Sequence, residues 1–493
     1  MAQDAGRPLS VIDWLSNSVA RPVALPLEND SLAPDVAGTA LPPNVTVLPL
    51  DAPSPDAVGL LSPEQSGLPA DLWGQSPATS IAAQLSRLDL GTMLPALRDL
   101  VRTILLAELD PPVDTSPDAA LFLARLDTLM DQGALFEAEA LINRAGTPRA
   151  DVFRRWFDLR LLLGSGNDAC AKLRVTPDLS PTFPARIFCL ARSGDWDAAA
   201  LTLETAEALG MLLDTEDELL ARFLHVELGD DAPTLLPATN VTPLTFRLYE
   251  AIGEPLATGS LPLAFAQADL RDNIGWKPRI KAAERLARVG SIAPDDLQTI
   301  YTEHRPAASG APWNRVEAYQ QLLSGLERNN PAAVAKVLPT FWALMEEAEL
   351  EIAVAQLHGA ELAALPLDGD ARDLALRIGL LSPDYESIAT DPDVHPLLGA
   401  IARGQAPPAK PVSAFARAIV EGFVADDMPD DLADMAGENR LGEAILTAVE
   451  LIGNGAQGNL DDLVAGIAFL RNAGLEDTSR KVALQLMLLE RRG

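Results

Sequence analysis

The sequence predicts an all-α protein, and three observations support this fold class. Hydrophobic residues make up 48% of the 493 residues, whereas aromatic residues make up only 5%. The apolar content is largely leucine and alanine, which favour helices, while β-branched residues are comparatively few. From Thr79 onward, apolar residues recur at spacings of three and four, which is the period of an amphipathic helix. A chain of this length exceeds one compact core, so we expect several domains or an extended array of repeats.

Charge and hydropathy argue against two classes of function. The formal net charge is −32, and such a surface repels both nucleic-acid phosphates and anionic lipid. We therefore expect no nucleic-acid binding. No run approaches the roughly 18 apolar residues of a membrane span, so we expect no membrane insertion. The first four residues lack the regions of a signal peptide, although this start also resembles a mature exported protein after signal removal.

Residues 1–77 are predicted to form an extended, Pro-rich, acidic and disordered tail. Twelve prolines fall within this segment, so no helix can run far. Two apolar clusters interrupt it, residues 10–16 (SVIDWLS) and residues 67–74 (GLPADLWG). An exposed tryptophan in a polar segment favours docking, either onto the chain's own helices or into a groove of a partner protein. The docking candidates are Trp14, Leu15, Leu72 and Trp73.

Two glycines mark a repeated helix hairpin in the next part of the chain. Residues 118–146 predict two helices around Gly133, and residues 185–209 predict two helices around Gly194. Each glycine is followed by alanines at offsets of 5 and 12, which are Ala138, Ala145, Ala199 and Ala206. A glycine turn followed by small residues on one face lets the second helix approach the first closely. This pattern indicates a helix-hairpin repeat, with Trp196 and the alanines as packing residues.

The segment SGDWDAAALTLETAEAL resembles the second half of a tetratricopeptide repeat. Gly194, Trp196, Ala199 and Ala206 occupy matching positions, and QGALFEAEALINRA matches less closely. The first-helix signature of that family precedes neither segment. The resemblance implies an α-solenoid, or superhelix, of degenerate tetratricopeptide-like hairpins and carries over no ligand-binding residue.

A second resemblance covers much of the chain. SVIDWLS, GLPADLWG, LRDNIGWK and HRPAASGAPWNRVEA are similar to pieces of uncharacterised exported bacterial proteins, some of which carry the label antifreeze glycopeptide polyprotein. The Ala-Ala-Thr repeats of antifreeze glycopeptides do not occur in this sequence. This resemblance therefore implies no mechanism.

Composition shifts divide the helical part into three predicted units. After the tail we expect tetratricopeptide-like hairpins over residues 78–255, a hairpin array over 262–404 and a C-terminal helical block over 412–493. The boundaries are rich in Pro, Gly and Thr, or in Pro alone, as in residues 404–411. Pro339 is expected to kink or break the helix that starts at Pro331.

No motif predicts catalysis, and we expect no cofactor and no metal ion. GNGAQG (453–458) has the letters of a dinucleotide fingerprint but follows a predicted helix, so we interpret it as a helix end and hinge. His358 with Glu361 is the nearest approach to a metal pair among four scattered histidines. The acidic run at 426–434 is explained by helix capping and a solvated face.

The two cysteines, Cys170 and Cys189, fall on consecutive predicted helices. They are a disulfide candidate, and two buried free thiols are the alternative. A bond closing this loop contributes roughly 3 kcal/mol. A disulfide favours an oxidising compartment, so the periplasm is slightly favoured as the location, with the cytoplasm as the alternative.

These observations favour a non-enzymatic interaction scaffold or adaptor of α-solenoid type within a bacterial envelope assembly. Its concave face or its Trp-bearing tail would bind a protein partner, and the tail also has the option of docking onto its own helices. The alternative is a helical-superhelix enzyme acting on cell-wall glycan. Such an enzyme needs an acidic residue in a cleft lined by aromatic side chains.

Overall fold

The computed structural model describes residues 54–116, 118–146, 149–179, 182–224, 235, 240–407, 411 and 413–489. In these ranges the regular structure is helical, with a single isolated bridge between Leu61 and Ala107, which confirms the all-α class. The α-helices are α1 (Pro63–Ser66), α2 (Ala78–Arg87), α3 (Pro95–Leu106), α4 (Ala120–Asp131), α5 (Leu135–Ala145), α6 (Ala150–Leu162), α7 (Gly166–Val175), α8 (Phe183–Arg192), α9 (Trp196–Ala208), α10 (Asp214–Leu224), α11 (Pro243–Ala251), α12 (Ala266–Asp269), α13 (Trp276–Arg288), α14 (Pro294–Thr302), α15 (Trp313–Glu327), α16 (Pro331–Ala348), α17 (Glu351–Ala364), α18 (Gly369–Gly379), α19 (Tyr385–Ile388), α20 (Pro396–Ala402), α21 (Ala414–Val424), α22 (Asp430–Gly437), α23 (Leu441–Ala456), α24 (Leu460–Asn472) and α25 (Glu476–Leu488).

One local structure ends many of these helices and reverses the chain. At Gly194 the φ angle is +89°, the glycine N–H donates to the Ala191 carbonyl, and the Asp195 N–H donates to the Leu190 carbonyl. This is a Schellman motif, and its left-handed residue favours glycine because a Cβ would clash with the backbone. The same pair of bonds recurs at Gly133, Gly164, Gly253, Gly290, Gly404 and Gly474. The glycine turns predicted at 133 and 194 therefore belong to a larger set.

Helices α4 to α10 pack as successive hairpins. α4 packs on α5, α6 on α7 and α8 on α9. Successive hairpins meet where α4 touches α6, α7 touches α8 and α8 touches α10. Ala138, Ala199 and Ala206 are fully buried, whereas Ala145 is half-buried. Small residues at these offsets thus sit where neighbouring helices approach closely.

A buried ion pair joins the first two hairpins. Arg155 on α6 binds Asp127 on α4 through two parallel hydrogen bonds, of 2.5 Å from Nε and 2.6 Å from a terminal nitrogen. Both side chains are almost fully buried. Because the fork of the guanidinium matches the two carboxylate oxygens, the pair fixes the orientation of α6 on α4 as well as their separation.

Residues 54–77, which the sequence assigned to the extended tail, are packed against the helical body. The Asp56 carboxylate is buried and accepts hydrogen bonds from the Phe122 N–H, at 2.8 Å, and from the Thr115 hydroxyl. Three of the four prolines here stand at helix starts and do not prevent folding: Pro55 and Pro63 occupy first-turn positions that need no N–H partner, and Pro77 precedes α2. The tail prediction is therefore wrong for these residues, and residues 1–53 lie outside the described ranges.

The N-terminal helices contact the C-terminal ones. Gln84 of α2 donates to the Thr447 hydroxyl of α23 at 3.0 Å, and the Ala96 N–H of α3 donates to the Gln485 amide oxygen of α25 at 2.9 Å. In an open array each repeat contacts only its neighbours. Here the largest apolar core draws on residues 68–162 and 246–489, so it crosses the predicted boundaries at 255–262 and 404–412. A second core lies within residues 153–249.

The helix that starts at Pro331 continues through Pro339 to Ala348. The ring of Pro339 lies at an exposed position, while Leu338, Phe341 and Trp342 are buried in the core. The expected break is therefore absent. Burial of the opposite face compensates for the one backbone hydrogen bond that proline removes.

Candidate interaction surface

Helix α9 is apolar on two faces, and only one of them is covered. Ala199, Leu203 and Ala206 form the buried face. The opposite face carries Ala198, Leu201, Thr205, Ala208 and Leu209, which are all exposed, and we name these five residues the α9 patch. Leu201 is 64% exposed and Leu209 is 55% exposed. A spacing of three and four places this patch in one stripe along the helix.

The hydroxyl groups on this side of α9 are engaged within the helix. Thr205 donates to the Leu201 carbonyl at 2.7 Å, and Thr202 donates to the Ala198 carbonyl at 2.6 Å. The threonine methyl groups are therefore the parts left to face outward. Beyond the helix end, Met211 and Leu213 are also exposed, at 38% and 67%, and extend the apolar surface.

A row of carboxylates borders one edge of the α9 patch. The row consists of three exposed residues: Asp197, Glu204 seven positions later, and Glu207 three positions after that. A hydrogen bond with Asp217 raises the pKa of Glu207. Within the described ranges neither Asp197 nor Glu204 forms an ion pair with a basic side chain. The surface therefore combines an apolar stripe with unneutralised negative charge.

Trp196 begins α9 and differs from the predicted packing residue. Its ring centroid lies 6.1 Å from that of Phe223 on α10, yet the side chain is 48% exposed. The alanines Ala199 and Ala206 take the packing role predicted for all three residues. Trp196 instead covers the edge between α9 and α10 and leaves half of its surface in contact with solvent.

The two cysteines connect the neighbouring helices α7 and α8. Cys170 and Cys189 are joined by a disulfide, with their Cα atoms 4.9 Å apart, and both residues are buried. Because α8 is the helix on which α9 packs, the bond ties the support of the α9 patch to the preceding hairpin.

Replacement of both cysteines by alanine is expected to lower the free energy of unfolding by roughly 3 kcal/mol. The bond spans a sequence separation of 19 residues and restricts the unfolded chain accordingly. Chemical denaturation followed by circular dichroism measures this change. Reductant should shift the midpoint of the wild-type chain and leave that of the double variant where it is. An unchanged wild-type midpoint, with two thiols titrated, contradicts the prediction.

The four docking candidates fall into two groups. Trp14 and Leu15 lie outside the described residues. Leu72 and Trp73 are 0% and 1% exposed and pack against α23 of the same chain. The Gly442 N–H donates to the Leu72 carbonyl at 2.8 Å, and the Gln75 N–H donates to the Asn439 carbonyl at 2.9 Å. Leu72 and Trp73 therefore dock onto a helix of their own chain.

The glycine-rich and acidic segments lie in helical surroundings. The first four residues of GNGAQG, 453–456, belong to the end of helix α23, and of its three glycines only Gly458 lies beyond that helix, before α24. Gly455 allows close approach, because a Cβ there would lie 2.5 Å from that of Leu463. Asp430 and Asp431 stand in the first turn of α22. Among the residues that the structure describes, no group of three or more His, Cys, Asp or Glu side chains is placed to hold a metal ion.

Two buried titratable groups are held by core contacts. The His358 ring nitrogen Nε2 lies 2.8 Å from the Tyr319 hydroxyl, and burial lowers the pKa of this histidine. The buried Glu284 carboxylate accepts hydrogen bonds from the Tyr301 hydroxyl at 2.7 Å and from Arg315 at 2.7 and 2.9 Å. A glycosidase acid needs a proton to donate to the substrate. Glu284 instead has its carboxylate oxygens occupied by an arginine and a tyrosine.

Comparison of the chain with protein-family models, curated protein sequences and solved structures returns no match. The resemblance to tetratricopeptide repeats therefore rests on the hairpin residues alone. Within the part of the chain that is described, no helix is both long and apolar enough to cross a bilayer.

Proposed function

We propose that this protein is a non-enzymatic interaction scaffold whose α9 patch binds another protein. The single observation that carries the proposal is the pair of exposed leucines, Leu201 and Leu209, on a helix whose other face is already buried. An apolar stripe of this kind, continued by Met211 and Leu213, is typical of a protein-binding surface.

The partner's chemistry follows from the border of the α9 patch. Asp197 and Glu204 attract a partner with lysine or arginine beside its apolar residues. An amphipathic helix with apolar residues at spacings of three and four and a basic flank meets both requirements. We infer that hairpins α4 to α10 act as a degenerate tetratricopeptide-like array that presents this surface.

The disulfide supports placing this scaffold in a bacterial envelope assembly. Cys170 and Cys189 are bonded, and structural disulfides persist in oxidising compartments such as the periplasm. The bond also keeps α8, and with it α9, fixed on the preceding hairpin.

Leu201→Glu is expected to abolish capture of the partner without unfolding the chain. A charged side chain in the middle of the stripe would lose its hydration against an apolar partner, and this cost weakens binding. The fold should tolerate the change, because the exposed Leu201 contributes little to the core. The measurement is affinity capture with wild-type and variant chains, followed by mass spectrometry. Val424→Glu, at another exposed apolar position, serves as the matched control. Identical partners recovered with all three chains would overturn the proposal.

A further inference from the structure

The last turn of α7 carries an exposed surface of its own. Val175 is 79% exposed, and Ala171, four residues earlier on the same side of the helix, is also exposed. Lys172 and Arg174 are exposed beside them and form no ion pair with any side chain that the structure describes. We name these four residues the α7 patch. It combines apolar side chains with unneutralised positive charge.

The charged groups around the α7 patch leave it positive. The only acidic residue in the sequence from 166 to 176 is Asp168, and Arg160 of α6 binds its carboxylate. The two charged residues of the adjoining helix α8, Arg186 and Arg192, are basic as well. The α7 patch therefore has the opposite charge to the row of carboxylates that borders the α9 patch.

The α7 patch has the chemistry that the α9 patch requires of its partner. That partner carries lysine or arginine beside apolar residues at a helical spacing. Ala171 and Val175 supply the apolar residues, four positions apart, and Lys172 and Arg174 supply the cations. A second copy of this chain therefore offers a surface that complements the α9 patch in both charge and polarity.

The two patches are held on one helix. Both α7 and α9 pack on α8, and the disulfide between Cys170 and Cys189 joins α7 to α8 covalently. The α7 patch and the α9 patch therefore keep a fixed separation within each copy, which reduces the conformational freedom lost on association. In a twofold dimer the α7 patch of each copy contacts the α9 patch of the other, so the contact forms twice.

We propose that two copies of this chain associate through reciprocal contacts between the α7 patch and the α9 patch. Val175 of each copy packs against the exposed leucines of the other, and Lys172 and Arg174 pair with the carboxylates that border them. This inference rests on the proposed function, because it names a second copy as the protein that the α9 patch binds.

Reversing the charge of one patch at a time tests the pairing. Lys172→Glu with Arg174→Glu makes both patches negative, and Asp197→Lys with Glu204→Lys surrounds both with positive charge. Each double variant alone should dimerise at least about tenfold more weakly than the wild type, because like charges then face each other. An equimolar mixture of the two variants should recover the dimer, since each supplies the charge that the other lacks. A mixture that stays monomeric overturns the proposal.

Size-exclusion chromatography with light scattering, over a series of concentrations, gives the mass of each chain and of the mixture. Lys277→Glu with Lys281→Glu is the matched control, because it makes the same change of charge at two exposed lysines of α13. The control should keep the wild-type dimer. A loss equal to that of the α7 double variant would assign the effect to net charge and overturn the pairing.

Leu201→Glu separates failure of this inference from failure of the proposed function. The variant should be monomeric where the wild type is a dimer, and a dimer that it leaves intact overturns the inference, because that dimer forms through another surface. A monomeric wild type that captures a different protein in a Leu201-dependent manner overturns the inference and supports the proposed function. A monomeric wild type without such capture overturns both.

Discussion

Trp73→Ala is expected to lower the free energy of unfolding by about 3–5 kcal/mol, the range for removing a large buried aromatic side chain. Trp73 is 1% exposed and fills the space above Gly442, so the truncation leaves a cavity between the N-terminal segment and α23. Chemical denaturation followed by circular dichroism measures the change.

Trp196→Ala is the matched control for this prediction, because it removes the same side chain from a position that is 48% exposed. We expect it to cost about 1 kcal/mol or less, in line with a surface substitution. Equal losses in the two variants would contradict the packing of Trp73. The complementary variant Gly442→Val should also destabilise the chain, by about 1–3 kcal/mol, since its side chain would overlap the Trp73 ring.

Asp127→Leu is expected to cost about 3–5 kcal/mol, because it leaves the buried Arg155 guanidinium without its carboxylate. The double variant Asp127→Leu with Arg155→Met should recover most of this loss, since an apolar pair of similar volume removes both desolvation costs. The free energies of unfolding of the wild type, Asp127→Leu, Arg155→Met and the double variant, measured by chemical denaturation, give the coupling energy.

The exposed ion pair between Arg440 and Glu438 supplies the control for Asp127. Its side chains are 29% and 65% exposed, and Glu438→Ala should change stability by less than about 1 kcal/mol. If Asp127→Leu costs no more than this control, the pair with Arg155 is not the buried anchor that its geometry indicates.

Local pattern in the sequence predicts the hairpins well, because their determinants lie within a few residues. Gly133 and Gly194 carry the left-handed turn, and small residues five positions later face the partner helix. A further hairpin obeys the same rule, with Gly164 at φ +84° and Ala169 fully buried. It escaped prediction because position 176 is threonine, where the other two hairpins have alanine at the second offset.

Contacts between distant segments leave no periodic signal. Nothing around Trp73 in the sequence points to Gly442, so the prolines of residues 54–77 predict an extended tail. The sequence does not indicate the α9 patch for a related reason. Alanine and leucine occur on both faces of α9, and periodicity alone does not show which face another helix will cover.

The closing of the N-terminal helices on the C-terminal ones has a consequence for biosynthesis. The hydrogen bond of Gln84 with Thr447 forms only after Thr447 is synthesised, 363 residues later. At about 5–20 residues per second, synthesis of that stretch takes roughly 20–70 s. During that interval the growing chain carries Leu72, Trp73 and the apolar faces of α2 and α3 without their final neighbours. Translation of a message truncated before α23 would release a chain whose first helices never contact their C-terminal neighbours. Chaperones and proteases are expected to act on such a product.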